Sequence, residues 1–71
     1  MNLEQTQIVY NGEPLAIPAG STIADVLSQQ QVRTELVAVE VNLEIVPKTL
    51  HQQKVLNEGD QIEVVTLVGG G

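Results

Sequence analysis

The sequence predicts an α+β domain, a mixed sheet of four to five strands with one main helix packed across it. Three features carry this reading. A β-branched segment runs into Asn11-Gly12, a short apolar stripe follows Thr22, and the later apolar residues alternate with polar ones in short runs.

The elements follow in order. Thr6–Tyr10 is β-branched and aromatic, with Ile8 and Tyr10 on one face and Val9 on the other. Asn11-Gly12 is the strongest short-range hairpin signal, and Glu13–Ile17 reads as the return strand. Pro14 cannot donate to a ladder, so this strand runs at a sheet edge or begins there. Pro18-Ala19-Gly20 stops it. Thr22, with Asp25 three residues on, opens a helix as a capping box, and Ser21 is an alternative cap. Ile23, Val26 and Leu27 form one apolar stripe over two to three turns, and the polar Gln29-Gln30-Gln31 closes the helix. So short a helix must pack on a sheet to persist.

Leu36–Val41 is the third strand, with Val37, Val39 and Val41 on one face and Ala38 and Glu40 on the other. Asn42-Leu43-Glu44 is a turn, Ile45-Val46 a short strand ended by Pro47, and Lys48–Lys54 a loop or a single helical turn. Asn57-Glu58-Gly59-Asp60 is a second turn, and Gln61–Val68 is the last and longest strand. A helix crossing a mixed sheet after a hairpin is the β-grasp, or ubiquitin-like, arrangement. Its first and last strands lie parallel at the sheet centre. Another small α+β sandwich with the same elements in a different order is the alternative.

A length of 71 residues suits one domain. Such a core supplies roughly 3–5 kcal/mol of net stability and leaves little room for a pocket enclosing substrate and catalytic groups together. Cysteine is absent, which excludes disulfides, thiolate metal sites and a cysteine nucleophile on this chain. Met1–Gln5 is polar and shows no signal pattern. Glu40, Glu44 and Glu63 interrupt the apolar stretches, so no membrane span is expected. A soluble, cytoplasmic protein is the expectation. Nine acidic residues against three basic ones, Arg33, Lys48 and Lys54, give a formal charge of -6. That balance repels nucleic acid and anionic lipid. It suits either a partner with a basic docking face or solubility alone.

Residues 1–68 are expected to form the domain and residues 69–71 a flexible tail. Gly69, Gly70 and Gly71 have no side chain to pack. They place a carboxylate on an arm of roughly 10 Å that could thread a narrow channel. Alone the triplet is a weak signal and fits a frayed end equally well. After the last strand of a β-grasp pattern it projects the carboxylate clear of the body.

Several short motifs fall in a fixed order: Tyr10-Asn11-Gly12, Ala19-Gly20-Ser21-Thr22-Ile23, Val39-Glu40-Val41-Asn42, Ile45-Val46-Pro47, Gly59-Asp60-Gln61-Ile62-Glu63 and Val68-Gly69-Gly70-Gly71. Together they resemble the ThiS family, the bacterial sulfur carriers of thiamine biosynthesis, over nearly the whole chain from Gln7 onward. Met1–Thr6 is slightly longer than that pattern. The resemblance implies a cycle at Gly71. A ThiF-type enzyme uses ATP and Mg²⁺ to adenylate the carboxylate. Sulfur from a persulfide, supplied through a cysteine desulfurase, displaces AMP to leave a thiocarboxylate. ThiG, thiazole synthase, then accepts the sulfur. The chain itself would bind no cofactor and be a stoichiometric carrier, not an enzyme. A weaker resemblance to MoaD, the small subunit of molybdopterin synthase, keeps the chemistry and changes the recipient. A ubiquitin-like modifier joined to lysines through Gly71 and a binding module with an inert tail are further alternatives.

Other residues receive plainer readings. His51 has no partner at metal-ligand spacing and reads as a solvated loop histidine. Glu58, Asp60 and Glu63 could suggest a hard-cation site, but Asp60 reads as a turn residue and Glu63 as solvent face. Gly20-Ser21-Thr22 reads as a cap, since no lysine completes a phosphate loop, and Tyr10 as core. In the last strand, Ile62, Val64, Thr66 and Val68 share one face and Gln61, Glu63, Val65 and Leu67 the other. With the first set under the helix, Val65 and Leu67 face outward near the tail, beside Ala38. They are candidate partner-docking residues, with Glu63 guiding approach. Ordinary edge exposure, or burial through a local twist, is the alternative.

Overall fold

The computed structural model describes residues 4–67. Val68, the Gly69-Gly70-Gly71 tail and the boundary expected between them therefore lie outside the described residues. The elements are β1 (Gln5–Tyr10), β2 (Glu13–Pro18), α1 (Ile23–Gln29), β3 (Val37–Val41), β4 (Glu44–Val46) and β5 (Gln61–Thr66), with 3₁₀ turns at Thr34–Leu36 and Lys48–Leu50. The sheet order is β2-β1-β5-β3-β4. β1 and β5 are parallel, pairing Val9 with Gln61 and Tyr10 with Ile62, and the other neighbours are antiparallel. This is the β-grasp order that the sequence predicts, with β2 and its Pro14 at an edge.

Both hairpins are two-residue turns. Asn11 and Gly12 have φ of 49° and 86°, and Asn42 and Leu43 have 53° and 72°. The left-handed region at both central positions matches the right-handed twist of the flanking strands. Glu44 belongs to β4 and not to the turn, and Leu36 sits in the 3₁₀ turn before β3.

Helix α1 begins as expected. The Thr22 hydroxyl accepts from the Asp25 N–H at 3.2 Å, and the Asp25 carboxylate accepts from the Thr22 N–H at 2.9 Å. The next two free N–H groups, of Ile23 and Ala24, donate to the carbonyls of Lys54 and His51 at 3.0 and 2.8 Å. The first turn's donors are thus all paired, half of them by a loop 30 residues downstream. At the other end, Val32 N–H reaches Leu27 O and Gln31 N–H reaches Ser28 O. That is a Schellman closure with Gln31 at φ 61° where glycine is usual.

The core is one cluster: Ile8, Ile17, Ile23, Val26, Leu27, Val37, Val39, Val41, Leu56 and Ile62. Tyr10, expected in the core, is half-buried and packs against the edge of the cluster, and this burial raises its phenol pKa. Leu56 joins the core because the segment around it crosses the helix start: Leu56 N–H bonds Ser21 O and Val55 bridges Thr22.

His51 corrects the sequence reading, since it is 1% exposed rather than solvated. Its backbone carbonyl is engaged by Ala24, and this holds the residue over the helix start and turns its ring inward. Nε2 lies 3.0 Å from the Val46 carbonyl, so Nε2 carries the proton and donates. Nδ1 is buried with no hydrogen-bond partner.

Two outcomes test this packing. Leu27→Ala should cost about 2–5 kcal/mol, enough to unfold most of so small a domain. A cost below about 1 kcal/mol in urea titration would place Leu27 at the surface. His51→Leu strands the Val46 carbonyl and should cost about 1–3 kcal/mol, and an unchanged urea midpoint would show that the bond contributes nothing.

Candidate functional site at the end of strand β5

Strand β5 leads to the predicted tail, and the fold holds it from both sides. Its ladder with β1 covers two residue pairs, and its ladder with β3 runs from Val41–Ile62 to Val37–Thr66. The two hairpin asparagines lengthen these ladders. Asn11 donates its N–H to Ile62 O at 2.8 Å, and its side-chain oxygen accepts the Val64 N–H at 2.8 Å. Asn42 donates its N–H to Gln61 O at 2.7 Å, and its side-chain oxygen accepts the Gln61 N–H at 3.0 Å. The Asn42 amide also donates to the Asp60 carboxylate at 3.0 Å. Each turn asparagine therefore does two things: its backbone takes the left-handed conformation, and its carboxamide replaces a missing strand residue.

The last described residue, Leu67, lies past the strand. Its N–H donates to Leu36 O at 2.8 Å and ties the end of β5 to the segment before β3. There the 3₁₀ turn is braced by Lys48, whose ammonium donates to Glu35 O at 3.2 Å. Arg33 and Glu35 form an exposed ion pair at 3.4 Å. A hydrogen bond from its own backbone holds the Glu35 carboxyl below its ordinary pKa, and Arg33 adds to this. Exposed as it is, the pair contributes little to stability.

Alternation holds for Ile62 to Val65 but not to the end of the expected strand: β5 stops at Thr66, which is exposed instead of covered by the helix, Leu67 lies past the strand, and Val68 is outside the described residues. Ile62 is buried and Val64 half-buried under the helix, while Val65 and Leu67 are 58% and 59% exposed. Val65 stands directly opposite Ala38, and Glu63 directly opposite Glu40. Two like charges face each other across adjacent strands, an arrangement unfavourable to the isolated sheet. The outer face is thus apolar near Leu67 and acidic one pair further in. Gly69, Gly70 and Gly71 lie outside the described residues. Among the described residues no cluster of histidine and carboxylate side chains could hold a metal ion, so Glu58, Asp60 and Glu63 do not converge. Among them no helix is long and apolar enough to cross a membrane.

Sequence reasoning missed the asparagine carboxamides and the Leu36 anchor. A second Asn in the Asn42 turn was the available signal for the first. The anchor is a backbone contact with no residue signature.

Known proteins resemble this chain in both fold and sequence. A crystal structure of a thiamine biosynthesis protein (ThiS) from Geobacter metallireducens superposes with a TM-score of 0.80 at 26% identity, covering 93% of this chain and 100% of that one. The sulfur carrier protein ThiS of Escherichia coli is 32% identical over 92% of this chain and 98% of its own length. A thiazole synthase of Paramagnetospirillum magneticum is 43% identical over 92% of this chain, yet the match spans only 20% of that protein's length. The ThiS family model matches residues 8–71. With the family pattern, its relatives of the same size and the β-grasp order in agreement, the chain belongs to the ThiS family.

Proposed function

We propose that this chain is a stoichiometric sulfur carrier of thiamine biosynthesis, acting in the cytoplasm, with Gly71 as the carrying residue. A ThiF-type enzyme, using ATP and Mg²⁺, would join the Gly71 carboxylate to AMP with release of pyrophosphate. A persulfide sulfur that derives from a cysteine desulfurase would then attack the acyl carbon and expel AMP. The acyl disulfide so formed would be cleaved by a second thiol, from the partner enzyme or a cellular reductant, which takes the donor sulfur into a disulfide and leaves the carried sulfur as a thiocarboxylate for transfer to thiazole synthase. In this reading Gly69 and Gly70 are the unbranched arm, and the chain supplies no catalytic group or bound cofactor.

The observation that carries the reading is the root of the tail. β5 is the central strand, and its end is held by the Leu67–Leu36 bond beside the exposed Val65 and its half-buried partner Ala38. A rigid root makes the arm's reach definite, which favours insertion into a partner's site by reducing the ordering cost. The names of the E. coli relative and of the Bacillus subtilis sulfur carrier protein ThiS, 42% identical over 70% of this chain, support the pathway. Thiazole synthases from two organisms each match 92% of this chain within one fifth of their own length, which supports thiazole synthase as a partner. Val65 and Leu67 would dock the adenylating enzyme and thiazole synthase in turn, with Glu63 and its acidic neighbours steering basic surfaces toward them.

Mass spectrometry after incubation with ATP, the adenylating enzyme and a sulfur donor tests the chemistry. Exchange of one oxygen for sulfur is expected, an isopeptide adduct would indicate a modifier, and no change would indicate an inert tail. Gly70→Val should abolish the exchange while leaving the fold intact, and a normal thiocarboxylate yield from it would remove the narrow-channel requirement. Leu67→Asp should weaken both complexes without unfolding the domain, and added salt should slow their association. If Leu67→Asp binds both enzymes as tightly as the parent, the docking surface lies elsewhere.

A further inference from the structure

The β3–β4 hairpin carries a cost that the fold does not require. Both hairpins close by two-residue turns, with Tyr10 paired to Glu13 and Val41 to Glu44. Both have positive φ at the two central residues. The first uses Asn11-Gly12 and the second Asn42-Leu43. The left-handed conformation is open to glycine at no steric cost, whereas a residue with a Cβ is disfavoured there. The first hairpin is therefore an internal control for the second: the same geometry is met once with the favoured residue and once with leucine.

Packing does not compensate. Leu43 is 84% exposed, and Ile45, two residues on, is 72% exposed. Among the described residues these are the most exposed large apolar side chains. Ile45 stands opposite Glu40, which in turn stands opposite Glu63. This places Ile45 on the same outer face as Val65. The tip is also held firmly, because Asn42 is bonded to Gln61 and Asp60. A bulky apolar side chain in an unfavourable conformation, on a firmly held turn and left largely in water, is a contact residue in search of a surface.

We infer that Leu43 and Ile45 form a second docking point, which seats in an apolar recess with a basic rim on thiazole synthase. The inference rests on the proposed partnership with that enzyme. The tip lies at the opposite end of β3 from the tail root, four residues along the ladder, or about 13 Å. A partner that takes the tail and also touches the tip must span the whole outer face. The partner with most reason to do so is the one that, in two relatives named thiazole synthase, carries a stretch matching this chain within a single polypeptide. Glu40, opposite Ile45, and Glu63, next across the same face, call for cations on the opposing rim.

The test compares Leu43→Gly and Ile45→Ser with the parent in calorimetric titration against thiazole synthase and, separately, against the adenylating enzyme. Leu43→Gly should melt at or above the parent temperature, yet bind thiazole synthase about tenfold or more weakly, as loss of an apolar anchor does. Its affinity for the adenylating enzyme and its thiocarboxylate yield should be unchanged, and Ile45→Ser should behave likewise. Equal affinity of parent and Leu43→Gly for thiazole synthase overturns the inference and leaves the carrier function standing. So does a loss confined to the adenylating enzyme. A lower melting temperature for Leu43→Gly would give the leucine a structural role and overturn it as well. If the parent shows no affinity for thiazole synthase, the proposed partnership fails first and the second docking point falls with it.

Discussion

Strand β5 is the element on which the rest of this structure depends. It joins two hairpins that are far apart in sequence, β1–β2 and β3–β4, into one sheet, and no ladder pairs the two hairpins directly. A two-stranded hairpin is marginal in water, while a sheet of three or more strands with an apolar face is not. Backbone ladders alone would leave the β1 side short, since only two residue pairs are in parallel register. The carboxamide of Asn11 extends that side to Val64, and that of Asn42 closes the other side at Gln61. The strand that leads to the predicted functional end is therefore bonded along both of its edges.

The second constraint is the short helix. Seven residues cannot hold helical form without packing, yet α1 must cover a five-stranded sheet. The segment from His51 to Leu56 solves part of this. It pairs the helix's first free N–H groups, contributes Leu56 to the core, and sends the His51 ring between the helix start and β4. The chain thus spends a long, irregular connection on fixing a short helix. One consequence is a buried imidazole whose one donor is used and whose other nitrogen is not.

Because one helix covers one face only, the other face of the sheet is left open. Its composition is uneven: Val65 and Ala38 lie toward the end of β5, Glu40 and Glu63 in the middle, and Ile45 beyond them, two residues from the exposed Leu43 of the turn. Opposed carboxylates and exposed aliphatic side chains both work against the isolated domain. Their arrangement on the face that carries the tail root suits association, with apolar ends to make contact and an acidic middle to choose a basic partner. The ThiS relatives share the fold that produces this face.

The sequence by itself determined the periodic and locally signalled features. Strand alternation placed Val65 outward and Ile62 inward, Asn11-Gly12 and Thr22–Asp25 marked a hairpin and a helix start, and Pro14 marked an edge. Each depends on neighbours a few residues apart, so each is written in local order. Only the tertiary structure decided the rest. His51 and Leu56 lie in an aperiodic loop, and their burial depends on a helix 30 residues earlier whose N–H groups need acceptors. The Asn11 and Asn42 carboxamides reach β5 only because the sheet brings the three segments together. Leu67 stops being strand at a contact with Leu36, and Leu43 is strained only because the short β3–β4 turn demands a left-handed residue there. These contacts are satisfied across long sequence separations, where backbone polar groups find partners by geometry and residue type leaves no trace.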